Sequence, residues 1–175
     1  VTTRPNQALA RAALRGDVAK LDELVAAGAN PRLVVGLDRW SLLHEVLVLV
    51  SPQYTASVPV LARLLELGLD VDAADRRGWT PLHFAVRARH LGAVRLLLDA
   101  GAAVDPVNAD GATPLRLTLE RRRCPAALVQ LLLERGADPD HRSPAGVSVR
   151  SLAATVCHGE DLPLRALLGV DPSAG

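Results

Sequence analysis

The sequence predicts an all-α fold, a solenoid of stacked helix–turn–helix units, and three observations carry that expectation. The phrase Gly-x-Thr-Pro-Leu is written twice, with Gly78 and Gly111 separated by 33 residues. A Leu-rich segment closed by glycine recurs at Gly28, Gly68, Gly101 and Gly136. Of 175 residues 49% are hydrophobic, yet the only large aromatics are Trp40, Tyr54, Trp79 and Phe84. A core of Leu, Val and Ala suits closely stacked helices better than a large β-sandwich. A catalytic motif is normally written once, whereas a phrase issued at fixed spacing is an instruction to each structural unit.

Each element of the unit has a physical reason. Thr80 and Thr113 stand where a side-chain oxygen caps a helix, with Pro81 and Pro114 at the first helical position. Ser41 takes the same place before "LLHEV". The second helix shows stripes at helical spacing: Leu61, Leu64 and Leu65; Val94, Leu97 and Leu98; Val129, Leu132 and Leu133. The closing glycine supplies a left-handed residue that ends it. A polar phrase follows, as in "GLDVDAAD" and "GADPDHRS". Helices of about ten residues are marginal alone, so each unit must be stabilised by its neighbour.

The stretch "DRRGWTPLHFAVRARHLGAVRLLLDAGAAVD", from Asp75 to Asp105, closely resembles the ankyrin repeat, Thr80-Pro81-Leu82-His83 included. The resemblance covers nearly the whole chain as a single domain of about five repeats, at 7–30, 36–73, 74–107, 108–142 and 143–168. It implies turns that project as β-hairpin-like fingers and first helices that line a concave face. It also implies that His44 and His83 bond backbone groups of an adjacent unit. Three departures stand out. Residues 50–59, "VSPQYTASVP", read as an inserted loop because prolines oppose a helix there. The fourth and fifth units are longer near "RRRCPAAL" and "CHGEDLPL". Arg116 replaces the histidine of the fourth unit, and the fifth has Ser148 for threonine.

The balance of 20 basic and 19 acidic residues gives a net charge of +1, which favours neither nucleic acid nor membrane as partner. No apolar run is long enough to span a bilayer. Two cysteines, Cys124 and Cys157, are too few for a disulfide framework, and with no signal-peptide profile the expected compartment is the cytoplasm. Arginine-for-lysine usage and the absence of Ile and Met point to a GC-rich, bacterial genome. Nucleophile-elbow, Walker and dinucleotide phrases are absent from the sequence. The aspartates fall in turns, where carboxylates accept local backbone bonds. Cys124, Cys157 and His158 form at most a weak zinc pattern. No catalytic residue, metal ligand, cofactor or small-molecule substrate is expected.

What remains is a protein-binding surface. Trp40 and Trp79 occupy equivalent slots, each just before the capping residue, and tryptophan brings a large rigid surface with one donor. Arg39, Arg76, Arg77, Arg87, Arg89 and Arg121 surround them as a basic stripe, and Tyr54 marks the inserted loop. Arginine binds carboxylates in a two-pronged way, so the expected partner is a protein with an acidic surface, met by a monomer. Nucleic acid is the weaker reading, because the aromatics are too few for a stacking platform. The alternative roles are an inhibitor or immunity protein blocking a toxin or enzyme and a scaffold or regulatory subunit of an enzyme; a metal-dependent enzyme and a nucleic-acid binder are the remote classes.

Overall fold

The computed structural model describes residues 4–32, 37–48, 57–120, 126–156 and 162–170. Over these residues the chain forms ten α-helices and no strand. Two compact units are present, Val1–Ala102 and Ala103–Gly175.

The first unit holds α1 (Arg4–Leu14), α2 (Val18–Ala26), α3 (Leu42–Val48), α4 (Ser57–Glu66), α5 (Pro81–Arg87) and α6 (Leu91–Asp99). Each consecutive pair packs together, α1 on α2, α3 on α4 and α5 on α6. The first helices α1, α3 and α5 also pack in sequence as one row, and α2, α4 and α6 as a second. Leu9, Leu21, Leu43, Leu47, Leu61, Leu64, Leu82 and Leu97 fill the space between the rows and are essentially inaccessible. Burying a leucine fully is worth roughly 1.5–3 kcal/mol. Short helices persist because the neighbouring pair supplies that burial.

Left-handed glycines end the second helices: Gly28, Gly68 and Gly101 have φ of 93°, 77° and 89°. The amides behind them return to the last turn, as when Ala102 N–H donates to Leu97 O at 3.0 Å. The turn inside the first pair uses Gly16 at φ 76°, but the turn after α5 uses Arg89 at φ 57°. Asp17 caps α2 through its carboxylate and Lys20 N–H. His90 does the same for α6, its Nδ1 accepting from Ala93 N–H at 3.0 Å.

The second unit holds α7 (Pro114–Leu117), α8 (Ala126–Glu134), α9 (Val149–Val156) and α10 (Leu162–Leu167), with α10 packed on both α8 and α9. Its buried side chains include Leu115, Leu128, Val129, Leu132, Val149, Ala153 and Leu164. Helix α7 is shorter than expected. Beyond Leu117 the backbone tightens into i→i+3 bonds, and the Thr118 hydroxyl donates back to Leu115 O at 2.7 Å. A hydroxyl bonded to the preceding turn bends and weakens a helix.

Several expectations shift. Ser57, Val58 and Pro59, placed in the inserted loop, open α4; proline is tolerated there because first-turn amides have no intrahelical partner. Leu65 and Leu133 are only half-buried, whereas Leu128 and Leu131 are buried, since α8 is apolar nearly all round. The rest of the inserted segment with Tyr54, the arginines Arg121, Arg122 and Arg123, and Cys124, Cys157 and His158 lie outside the described residues.

Candidate functional site

Two of the fingers are built from one local rule, a carboxylate or amide oxygen that accepts from two backbone amides beyond it. Asp75 Oδ1 accepts from Arg77 N–H and Trp79 N–H, both at 2.8 Å. Asp75 N–H donates to Trp79 O at 2.9 Å, and Gly78 closes the turn at φ 73°. In the second unit Asn108 Oδ1 repeats this with Asp110 and Ala112, both at 3.0 Å, around Gly111 at φ 72°. The last finger closes by Ser143 N–H to Val147 O at 3.1 Å, beside an antiparallel bridge between Arg142 and Ser148.

At the base of the fingers the threonine and histidine of the motif act together. Thr80 N–H donates to His83 Nδ1 at 3.1 Å, and the Thr80 hydroxyl lies 3.0 Å from the same nitrogen. Ser41 and His44 repeat the arrangement at 3.1 and 2.8 Å. Because Ser41 N–H requires His44 Nδ1 as acceptor, Nε2 carries the proton and donates to Trp79 O at 3.0 Å, in the neighbouring finger. His44 is fully buried, and that burial pulls its pKa down; the bond to Trp79 O and the nearby Asp75 carboxylate oppose the shift.

The fourth repeat keeps the link without a histidine. Thr113 Oγ1 accepts from Arg116 N–H at 3.3 Å, and Arg116 Nη1 donates to Val147 O at 3.2 Å. The guanidinium thus serves the carbonyl that matches Trp79 O. In the last unit Ser148 Oγ accepts from Ser151 N–H at 3.1 Å, capping α9.

The predicted binding residues of the first unit converge on one side chain that the sequence reading passed over. Phe84, on α5, has the Trp40 ring edge-on at 5.8 Å, the Trp79 ring tilted at 5.4 Å and the His44 imidazole edge-on at 5.4 Å. Trp40 therefore reaches across to the next first helix, whereas Trp79 packs on its own, also against His83 at 5.6 Å. Both indoles are half-buried. Trp40 Nε1 is shielded from solvent without an acceptor among the described residues.

One arginine stacks on this cluster, and others lie near it in the sequence of the two fingers and of α5. The Arg87 guanidinium lies over the Trp79 ring at 5.3 Å, a cation–π contact. Arg39, Arg76, Arg77 and Arg89 are exposed, and neither Arg39 nor Arg76 has a side-chain partner among the described residues. Arg76 N–H donates to Asp38 O at 2.9 Å, tying the two arginine-bearing fingers together. Arg39 occupies the slot that Gly78 fills in the next finger and shares its left-handed backbone, at φ 59°. Beside it Leu37 is 86% exposed, a tip residue that the sequence reading also omitted. Leu37 had no periodic signal, since finger tips vary from unit to unit, and Phe84 sits in the motif helix among core positions.

Among the described residues no group of histidine, cysteine, aspartate and glutamate could hold a metal ion, and no helix is long and apolar enough to cross a membrane. None of the curated proteins compared with the chain matches it. The family model described as "Ankyrin repeats (3 copies)" matches residues 9–102 and 53–143. Ankyrin repeats are generally protein–protein interaction modules and are typically non-enzymatic. With helix pairs, left-handed glycine stops, paired Ser/Thr–His caps and a matching family model, the chain belongs to the ankyrin-repeat family.

Proposed function

We propose that this chain is a non-catalytic binding module that holds an acidic protein surface against the fingers at 37–41 and 75–80. The observation that carries the reading is Arg39. An L-residue in the left-handed region costs about 1–2 kcal/mol relative to its right-handed conformation, and the adjacent finger avoids that with glycine. A strained, exposed arginine with no side-chain partner among the described residues points to a role beyond the fold, since such strain gathers at functional positions. Arg76 and Arg87 extend the positive rim, Arg77 and Arg89 adjoin it, and Trp79 and Leu37 supply apolar contact at its centre and tip. Carboxylates on a partner would meet forked guanidinium donors around an aromatic floor. A standard interface of about 1,600 Å² in total would cover this area.

The test is affinity capture from the source cell's lysate with the native chain and with Arg39→Glu/Arg76→Glu and Leu37→Ser/Trp79→Ala variants. The expected result is a specific acidic partner retained by the native chain and lost by both variants, with helical content unchanged. Retention of the same partner by both folded variants would remove these fingers from the interface.

A further inference from the structure

One carboxylate on the row of first helices is left without a function by the finger site. Glu45 on α3 is half-buried, and its carboxylate has no hydrogen-bond or ion-pair partner among the described residues. It lines a cleft with Asn6, Leu9 and Ala10 of α1, Asn30 and Pro31 of the first finger, and Leu42 of α3. The apolar part of this lining withholds water from the carboxylate, and that burial raises its pKa.

The amide side chains of the cleft are oriented. Asn6 Oδ1 accepts from Asn30 N–H at 3.0 Å, and Asn30 Oδ1 accepts from Arg32 N–H at 3.0 Å. Each carbonyl oxygen has a second lone pair, so the lining combines one anion with two fixed acceptors. Among the described residues its lining includes no cation. The cleft volume is about 20 Å³, room for one group the size of a water. An ammonium carries three donors on one centre for the carboxylate and the two acceptors, whereas a guanidinium presents a planar fork.

We infer that this cleft receives a primary ammonium group, a lysine side chain of the protein partner, with Glu45 as its counter-charge. The assignment rests on the proposed function only in taking the occupant from a protein partner. It adds a condition on that partner: an acidic patch facing the arginine fingers and a lysine facing Glu45. The two requirements have opposite sign and lie on one row of fingers and first helices, so they also fix the direction in which the partner lies.

The test uses the full chain and a defined probe, Nα-acetyl-lysine methylamide, followed by amide chemical shifts in NMR. The control probe is the same molecule acetylated at Nζ, which keeps the aliphatic stem and removes the charge. Saturable shifts are expected at the amides of Asn30 and Glu45 with the amine and not with the control. Glu45→Gln should weaken the amine roughly tenfold or more, the scale of one hydrogen bond to a charged group. Asn6→Asp retains the oxygen that Asn30 N–H needs, adds a second negative charge, and should tighten binding. Equal shifts with the acetylated probe, no saturable shift, or affinity unchanged in both variants would overturn the assignment and leave a cleft that holds only water. Because the probe contacts none of the residues changed in the finger variants, its failure leaves the capture experiment standing, and retention of the partner by those variants leaves this result standing.

Discussion

Replacing Arg39 by glycine should stabilise the protein while weakening its binding. The backbone at Arg39 has φ 59°, a conformation that glycine adopts without a Cβ penalty. Relieving the strain returns about 1–2 kcal/mol. The unfolded chain gains freedom with the added glycine, which offsets roughly 0.4–1 kcal/mol of that. The net expectation is about 0.5–1 kcal/mol of added stability, or a rise in Tm of roughly 1–4 °C for a chain of this length. Urea unfolding followed by tryptophan fluorescence is the suitable assay, because Trp40 and Trp79 both report on the first unit. The midpoint should move to higher urea with an unchanged slope. Gly78→Ala, at φ 73°, is the reverse control and should lose about 1 kcal/mol. Affinity for the acidic partner should fall with Arg39→Gly although the fold is firmer. A variant that is less stable, or equally stable with full affinity, would refute the argument that strain is retained there for recognition.

Two further perturbations test the links between fingers. His44 has its pKa depressed by burial, so its contribution to stability is complete above the unfolded value of about 6.5 and is lost as pH falls through the lower folded value. Urea midpoints should therefore drop as the pH falls from about 6.5 through that window, and His44→Gln, less stable at neutral pH, should show a shallower drop; equal pH slopes in both proteins would contradict the assignment. Arg116→Leu removes the donor to Val147 O and should cost about 1–2 kcal/mol, measured by thermal unfolding, whereas Arg116→His should recover part of it.

How far the fold was legible follows from how local each determinant is. Gly28, Gly68, Gly101 and Gly136 are all left-handed, as a helix stop requires, because that need arises within a single turn. The second-helix stripes depend only on spacing along one helix, and Leu61, Leu64, Val94, Leu97, Val129 and Leu132 are buried. The resemblance also implied that His44 bonds a neighbouring unit, and its Nε2 reaches Trp79 O. What escaped depends on chain segments that meet only after folding. Arg116 took over the histidine's long bond because its side chain is long enough to reach the next finger, a fact its position in the motif does not encode. Phe84 became the centre of the aromatic cluster only once Trp40 and Trp79 approached it from different fingers. His90 offered no sign of capping because the preferred capping residues are Ser, Thr, Asp and Asn. Glu45 read as one charge on a short helix; its isolation depends on where Asn30 and Pro31 fold back toward α1.

The seam between the fingers at 37–41 and 75–80 is sewn twice, by Arg76 N–H to Asp38 O near the tips and by His44 to Trp79 O at the base. Both stitches demand the same registry of two loops, so adding or deleting one residue in either loop would unpick both together. Point changes at the surface leave that registry alone. A scaffold of this kind can therefore be re-aimed by exchanging side chains, while its fingers change in number only by whole modules, in the way a chain is altered by links and not by fractions of a link.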